Sequence, residues 1–326
     1  ELNAGTDHGI TLAGGLTNNG TYTTGASTLV LDGGAGQSLA GTSATNFYNI
    51  TVQKASGTAT VTTAQNLVNT LTLTSGAFNA NGLFTLLSTA TGDARIAEIT
   101  GTGTITGNVI AQRYLPNSAN AMVYRYLASP VTNAFVSDWK VEFPVTGTFN
   151  DPSTQAEWPG LPVTQANPSM FIYNEAQAGV PLDDRYQSYP LNGTSSTAAS
   201  IQNGRGYAAF VRQRSPITVN LIGTPQTGDV PVGVTAQSAG GDDGWNLIGN
   251  PYAAPINWDN VTRPAGVNAQ IALMDNLNIM GLGEGEYVYY TQNGIGIPAS
   301  YDGTVASGQA FWVRATSNST ITFQEN

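Results

Sequence analysis

The residues that could do chemistry are few and widely separated in the sequence. His8 is the single histidine among 326 residues and stands in the glycine-rich turn Asp7-His8-Gly9. A Ser/His/Asp triad or a histidine metal site requires partners that a lone histidine in such a turn does not have. There is no cysteine, which excludes thiolate metal sites, disulfides and a cysteine nucleophile. We therefore predict that the protein is not an enzyme.

Paired carboxylates are the next candidates for chemistry. The pairs are Asp183/Asp184, Asp242/Asp243 and Glu284/Glu286. Two carboxylates can act as acid and base in glycoside hydrolysis, but Asp beside Gly, Pro or Asn is also what ordinary turns contain. Oxygen ligands from adjacent aspartates and loop carbonyls suit calcium. We expect no cofactor, with calcium at Asp242 and Asp243 as the alternative.

The remaining candidates for ligand binding are aromatic. Tyr287 and Tyr289 lie two residues apart and share one face of a strand, whereas Tyr290 lies on the other face, so at least one set is expected to be core. Trp158 stands in residues 143–168, a proline-rich stretch that we interpret as a long surface loop. Aromatic rings on a surface can form a platform for sugars. A carbohydrate-binding module, or an accessory part of a larger secreted enzyme, is the principal alternative function.

The elements that carry these residues are most clearly marked at residues 244–258. Trp245 and Leu247 alternate with their neighbours as in a strand with one buried face. Pro251 ends this strand because it has no N–H for a ladder. We expect Gly249 to take a positive φ in the turn, and Trp258 to anchor a small core.

The same pattern recurs earlier in the chain, which predicts a tandem duplication. Matching residues recur at a nearly constant offset over several elements. The predicted equivalences are Tyr124 with Trp245, Pro130 with Pro251, Trp139 with Trp258, Tyr186 with Tyr287, Gly206 with Gly308, and Ala209 with Phe311. Gly, Pro and Asn break each copy into several short strands. We therefore interpret Trp245, Gly249, Pro251, Trp258, Tyr124, Pro130 and Trp139 as structural residues.

Residues 1–108 have a different texture. Short threonine-rich runs with alternating apolar residues, such as Thr70–Thr74, are separated by Gly or Asn turns, and no helical stripe appears. Such spacing favours a β-solenoid, with a sandwich as the alternative. In a solenoid, Asn ladders and stacked Thr repeat from coil to coil. The predicted fold class is all-β: an N-terminal β-solenoid-like stalk (1–108) followed by two tandem β-sandwich-like repeats (109–240 and 241–326).

Composition restricts the partners and the compartment. The formal net charge is −10, and only 10% of residues are charged, against a usual ~25%. A nucleic-acid partner is excluded because it requires a basic footprint. No apolar run approaches the ~18 residues of a membrane span. The chain begins at Glu1 without Met, so we expect a processed product or a fragment.

Several motifs carry a resemblance to a known class of proteins. They are Phe47–Ile50, Leu71–Gly76, Arg125–Pro130, Gly244–Tyr252 and Ser307–Val313. In these motifs the chain resembles the repetitive stalks of very large secreted cell-surface proteins of Bacteroidota, which are substrates of the type IX secretion system. The resemblance implies a secreted, surface-located structural protein. No sorting domain follows Asn326, so we expect that it was cleaved on export or that the chain is an excised piece.

Both ends of the sequence look able to continue a β-sheet. Residues 1–4 enter the β pattern almost at once, and Ser319–Phe323 still alternates near the end. Exposed strand edges invite pairing with another chain. The predicted function is a cell-surface adhesin segment or a filament-forming subunit that self-associates by strand stacking and pairing, or that joins neighbouring domains of a longer surface protein.

Overall fold

The computed structural model describes residues 2–3, 5, 8–116, 123–162, 166–177, 180–212, 215–237, 243–275 and 286–325. The chain divides into two compact units. Unit 1 comprises Glu1–Tyr114, Asn220–Gly228 and Glu325–Asn326, and unit 2 comprises Leu115–Val219 and Asp229–Gln324. The finer boundaries at residues 108 and 240 stay predictions.

The chain is all β, as predicted. The strands up to residue 115 are β1 (Leu2–Asn3), β2 (Gly9–Leu12), β3 (Leu16–Thr17), β4 (Tyr22–Thr23), β5 (Thr28–Leu31), β6 (Gln37–Ala40), β7 (Asn46–Val61), β8 (Gln65–Asn79), β9 (Phe84–Leu86), β10 (Ser88–Thr89), β11 (Gly92–Asp93), β12 (Arg95–Ile96), β13 (Thr102–Thr106) and β14 (Val109–Leu115). Most of them pair in parallel with a strand about one coil away in sequence. The β-solenoid expected in this part of the chain is confirmed, over residues 9–111.

Aligned columns of side chains hold the solenoid together. One apolar column runs through Leu12, Leu31, Val52 and Leu73, which pair in register from strand to strand. The last three are almost completely buried. Burying a leucine side chain is worth about 1.5–3 kcal/mol, so each coil stabilises the next.

The expected asparagine ladders are present on the same coils. Asn66 donates its side-chain N–H to Asn46 Oδ1 at 2.7 Å, and Asn69 donates to Asn49 Oδ1 at 2.9 Å. Each bond joins side chains one coil apart, so it fixes the register in which coils stack. A one-residue slip would move every apolar side chain to the opposite face.

The solenoid also contains a buried ammonium group. Lys54 is 2% exposed, and its Nζ donates to the carbonyl of Ala35 at 2.9 Å and to Gln37 Oε1 at 2.6 Å. It also donates to the Gly33 carbonyl. A buried charge is tolerated when its hydrogen-bonding capacity is met in this way, so Lys54 ties two coils together.

Later in the chain the strands are β15 (Val123–Leu127), β16 (Val131–Thr132), β17 (Ala134–Phe135), β18 (Met170–Tyr173), β19 (Tyr186–Ser188), β20 (Ser200–Ile201), β21 (Tyr207–Val211), β22 (Ile217–Pro225), β23 (Val230–Val234), β24 (Trp245–Gly249), β25 (Ile256–Asn257), β26 (Val267–Asp275), β27 (Glu286–Thr291), β28 (Gly296–Ile297), β29 (Thr304–Val305), β30 (Ala310–Ala315) and β31 (Ser319–Phe323). Helical segments of the described residues are α1 (Val136–Lys140) and 3₁₀ turns at Leu182–Arg185 and Trp258–Asn260. None of these is long and apolar enough to cross a membrane.

Unit 2 contains two antiparallel sheets with the same strand order. The first is β15-β21-β18-β19, and the second is β24-β30-β26-β27 with β28 added at its edge. A small two-stranded pair accompanies each sheet, β17 with β20 and β25 with β29. The duplication predicted from the sequence therefore exists as two copies of one topology.

The pairing registers confirm two of the predicted equivalences and correct a third. Phe171 pairs with Ala208, and its counterpart Ala272 pairs with Trp312, so Ala208 corresponds to Trp312. By the same register Phe311 corresponds to Tyr207, and the predicted match with Ala209 is wrong by two residues. Equivalent strand pairs likewise match Tyr124 with Trp245 and Tyr186 with Tyr287.

The two-residue error arose because Gly206 was matched to Gly308. Gly204 and Gly308 are the equivalent residues, and both have positive φ, at 78° and 69°. Gly206, which was matched to Gly308, has another reason to be glycine. A Cβ there would lie 2.7 Å from Leu247 Cγ and 2.8 Å from Ala310 Cβ. Only a residue without a side chain fits that contact.

Each copy has its own core around one tryptophan. Trp139 packs edge-to-face on Tyr207 with 5.9 Å between ring centroids, and Trp258 packs on Phe311 at the same distance. Both tryptophans are completely buried, and Trp258 Nε1 donates to the Ala269 carbonyl at 2.8 Å. Trp139 and Trp258 therefore have the same position and packing role in the two copies.

The two copies meet through reciprocal contacts, as the halves of a symmetric dimer do. The N–H of Ala128 donates to the Gly308 carbonyl at 3.0 Å, and the N–H of Gly249, its counterpart, donates to the Gly204 carbonyl at 3.0 Å. The positions that exchange these bonds are equivalent in the two repeats. The duplicated halves thus form an internal pseudo-dimer.

Gly249 is not in a turn and does not have positive φ, so that prediction is wrong. It is the last residue of β24. Glycine is needed for a different reason: a Cβ at Gly249 would lie 2.3 Å from Ala128 Cβ and 2.9 Å from the Arg205 carbonyl oxygen. The backbones of the two repeats approach too closely here for any side chain.

Pro251 and Pro130 are buried directly after these strands, beside equivalent polar residues. Asn250 Oδ1 accepts from the N–H of Tyr252 at 2.9 Å, and Ser129 Oγ accepts from the N–H of Val131 at 3.3 Å. Asn250 Nδ2 also donates to three backbone carbonyls. These side chains satisfy the backbone where each strand stops.

Candidate functional site

Aromatic side chains from the facing sheets of unit 2 line an open cavity of about 210 Å³. We call this cavity the aromatic cleft. Its aromatic residues are Tyr173, Tyr186, Trp245, Tyr287, Tyr289 and Trp312. Leu182, Asp183 and Ala272 complete the lining. A second cavity of about 390 Å³ shares Asp183 and Tyr186 with it and is also lined by Tyr124, Tyr126 and Phe171.

Trp312 is the centre of the cleft. Its ring lies nearly perpendicular to four others, with interplanar angles of 80° to Tyr126, 86° to Tyr173, 88° to Tyr186 and 89° to Trp245. The nearest ring, that of Tyr173, has its centroid 4.9 Å away. Edge-to-face contacts of this kind are favourable because the positive ring edge meets the negative face.

The duplication explains why these rings fit together. Trp312 in the second repeat stands where the first has Ala208, and Phe171 in the first stands where the second has Ala272. At each of these two positions one copy has a large aromatic residue and the other has alanine. The copies have diverged in complementary directions, which leaves space for a cleft.

Three tyrosine hydroxyls meet at the wall of the cleft. Tyr126 OH lies 2.7 Å from Tyr287 OH and 3.4 Å from Tyr186 OH. Burial raises the pKa of Tyr186 to about 12, and burial also raises the pKa of Tyr126 and of Tyr287. All three hydroxyls are therefore protonated and neutral at physiological pH.

This hydroxyl cluster predicts a loss of stability in alkali. The folded-state pKa values lie above the ordinary value near 10, so the folded state holds protons that the unfolded state releases. The contribution is complete below pH 10 and falls as pH rises towards 12, by up to about 1.4 kcal/mol per pH unit for each tyrosine. Urea unfolding followed by tryptophan fluorescence at pH 8–11.5 measures it. Tyr126→Phe should have a shallower slope, and an unchanged slope would contradict this assignment.

A buried ion cluster lies beside Tyr173. Arg185 is 5% exposed, and its guanidinium pairs with Glu175 Oε1 at 3.5 Å and with the Asp243 carboxylate. Glu175 Oε1 also accepts from the N–H groups of Gln237 and Gly244, at 2.8 and 2.9 Å. The cluster therefore holds Gln237 and Gly244, the residue before β24.

One of the two calcium candidates, Asp243, lies in this cluster. Asp243 has its carboxylate engaged with Arg185, and Asp242 lies outside the described residues. Within the described ranges, no group of three or more His, Asp or Glu side chains is placed to hold a metal ion. Of the other acidic candidates, Asp183, Asp184 and Glu286 are exposed, and Glu284 is outside the described residues. The calcium alternative stays a prediction.

The aromatic candidates have different locations. Tyr287 and Tyr289 lie on one face of β27 and line the cleft, whereas Tyr290 on the other face is core and donates to Asp259 Oδ2 at 2.7 Å. Trp158 is half-buried in the loop of residues 143–168, away from the cleft lining. Tyr124 is 39% exposed, and Trp245 is half-buried and forms part of the cleft wall. His8 is exposed.

Sequence reasoning missed Tyr173, Tyr186, Trp312 and Asp183 as cleft residues. A signal for Trp312 was present, because Phe311, Trp312 and Val313 are all apolar. A strand that is apolar on both faces is covered on both sides, so β30 had to lie between a core and a second packed surface. The positions of Tyr173 and Asp183 depended on how the two repeats pack.

Comparison with known proteins gives no assignment. No family model matches the chain, and no match is found among curated proteins or among solved structures.

Proposed function

We propose that the protein is an extracellular structural protein, a cell-surface adhesin segment or filament-forming subunit that acts through β-strand stacking and pairing rather than by catalysis. Secretion by the type IX system and a surface location belong to the same proposal. They are supported by the motif resemblance and by a cysteine-free sequence with few charges. Neighbouring domains of a longer surface protein are the alternative partners.

The observation that carries this proposal is the free edge of the first coil. In the described part of the chain, β2 pairs with β5 and with no other strand. Thr28 N–H donates to the His8 carbonyl at 3.0 Å and Asp32 N–H to the Leu12 carbonyl at 3.3 Å. Backbone groups of successive residues in a strand point to alternate sides, and His8 and Leu12 bond to β5. The backbone N–H and C=O of Thr11 therefore point away from β5. Among the described residues no other strand pairs with this side of β2, so it can accept a strand of another molecule.

The net charge of the chain determines the salt concentration at which two such edges can associate. The formal net charge of −10 opposes stacking at low ionic strength. Salt shortens the Debye length from about 30 Å at 0.01 M to about 8 Å at 0.15 M, which removes most of that repulsion. Association should therefore increase with salt.

We expect the mean mass from sedimentation equilibrium to rise with protein concentration, and to rise further at 0.5 M than at 0.02 M NaCl. Self-association by edge pairing is a mass-action process, and screening favours it between acidic chains. A strictly monomeric mass at every concentration and both salt levels would refute self-association and leave the role of a joined domain in a longer chain.

Ligand binding by unit 2 is a second candidate function. The sequence alternative was a carbohydrate-binding module or an accessory module of a larger secreted enzyme, with Trp158 or the face of Tyr287 and Tyr289 as binding residues. The observation in its favour is that both tyrosines line the aromatic cleft, beside the carboxylate of Asp183. Concave, mostly apolar cavities with a few polar groups are the usual form of small-molecule sites.

A further inference from the structure

We propose that the aromatic cleft binds a small organic ammonium cation of the trimethylammonium class, with Tyr289, Trp245 and Trp312 supplying ring faces and Asp183 the counter-charge. This inference rests on the second candidate function and specifies its ligand.

The arrangement of the rings is the first argument. A sugar platform needs an open, flat ring face, whereas a box of rings set at right angles surrounds a compact group. Trp312 is nearly perpendicular to Tyr173, Tyr186 and Trp245. The negative faces of aromatic rings attract a cation within about 6 Å, and tryptophan does so best.

The size of the cavity also favours a small ammonium group over a sugar. Its volume of about 210 Å³ is below the roughly 300–1,000 Å³ of sites for drug-sized ligands. A single substituted ammonium head fits such a volume. An oligosaccharide would have to extend beyond it, into the second cavity of about 390 Å³ or into solvent.

The charges around the cleft favour a cation. Asp183 contributes a lining carboxylate, and among the described residues no lysine or arginine lines the cavity. Arg185, behind Tyr173, is neutralised by Glu175 and Asp243. Arg314 lies over the Trp245 ring, 5.8 Å from its centroid, so this face of the ring is occupied and a ligand can use only the opposite face.

The polar groups are too few for a buried sugar. Tyr186 and Tyr287 direct their hydroxyls to Tyr126, and Tyr173 is hydrogen-bonded to Arg185. Asp183 and the Tyr289 hydroxyl are then the acceptors that the lining side chains offer to a ligand. A sugar would leave several hydroxyls without partners, and each unpaired buried polar group costs about 1–3 kcal/mol. A trimethylammonium group makes no hydrogen bonds and carries no such penalty.

The test is a titration of the intact protein with choline and with tetramethylammonium, followed by tryptophan fluorescence and by calorimetry. The matched ligand control is 3,3-dimethylbutan-1-ol, which has the shape of choline without its charge. We expect choline to bind at least about tenfold more tightly than this alcohol, since cation–π contacts and one carboxylate act on the charge alone.

Two variants assign the binding to the cleft. Asp183→Asn removes the charge of an exposed residue, and Tyr289→Leu removes a ring face but keeps an apolar side chain. Each should weaken choline binding about fivefold. Because the alcohol is neutral, Asp183→Asn should leave its binding unchanged. Trp158→Leu, which alters a tryptophan outside the cleft lining, should leave choline binding unchanged.

Equal affinity for choline and the alcohol, absence of choline binding, or an unchanged affinity in Asp183→Asn would each overturn the proposal. Preferential binding of a neutral saccharide that Tyr289→Leu abolishes would replace this ligand class while preserving a binding function. Sedimentation is measured separately, so failure at the cleft leaves the self-association proposal unaffected.

Discussion

Leu73→Asp is expected to unfold the solenoid. Leu73 is 1% exposed in the apolar column of the stacked coils. At pH 7 a buried aspartate must either be charged without a partner or take up a proton, and protonation alone costs about 4 kcal/mol for a group with pKa near 3.9. Lost apolar burial adds about 2 kcal/mol. The total is comparable with the whole stability of an ordinary domain, about 5–15 kcal/mol.

The two units can be followed separately. All five tryptophans lie in unit 2, so fluorescence reports unit 2 and far-UV circular dichroism reports both units. We expect Leu73→Asp to lose part of the β signal at temperatures where fluorescence is still native. Thr74→Asp, which places the same charge on the exposed next residue, is the control and should melt like the native protein. Equal melting of both variants would contradict the solenoid packing at Leu73.

Gly249→Val is expected to separate the two repeats of unit 2. The added Cβ would lie 2.3 Å from Ala128 Cβ and 2.9 Å from the Arg205 carbonyl oxygen, distances that force backbone to move. Overpacking of this kind costs about 1–3 kcal/mol and more where backbone cannot yield. We expect a loss of about 3 kcal/mol in urea unfolding monitored by tryptophan fluorescence.

The control for this variant is Gly233→Val. Gly233 is an exposed strand residue at which an added Cβ would have no neighbour within 4 Å. Its substitution should change the free energy of unfolding by less than about 0.5 kcal/mol. If Gly249→Val unfolds at the same urea concentration as Gly233→Val, the close approach of the repeats at Gly249 does not exist.

The architecture could be predicted because it repeats. Alternation in runs such as Thr70–Thr74 specifies which side chains point inward, and stacking then requires equivalent residues above and below. The tandem duplication was visible for the same reason, since Trp139 and Trp258 anchor equivalent cores. Local pattern and global fold agree in these segments, as they do in well-specified sequences.

Features that depend on close approach could not be predicted. The sequence does not distinguish a glycine that is needed for its positive φ, as at Gly308, from one that is needed because neighbouring atoms leave no room for a side chain, as at Gly206 and Gly249. The two-residue register error between the repeats followed from that ambiguity. Lys54 was missed because an isolated lysine in a threonine-rich strand ordinarily faces water.

The cleft could be predicted only in part. Tyr287 and Tyr289 were identified as one face of a strand because alternation is a local property. Asp183 was considered only as half of a carboxylate pair, and Trp312 only as a repeat motif. Their meeting with Tyr173 depends on how the duplicated sheets pack, which no local pattern specifies.

The central claim, association through the free edge of the first coil, is tested most directly by negative-stain microscopy of the protein and of Thr11→Pro. Proline at Thr11 removes an N–H that points away from β5 and leaves the ladder to Thr28–Leu31 in place. At 0.5 M NaCl we expect the native protein to form rods that lengthen with concentration, and Thr11→Pro to give single particles. Single particles for both proteins, or identical rods for both, would contradict the claim.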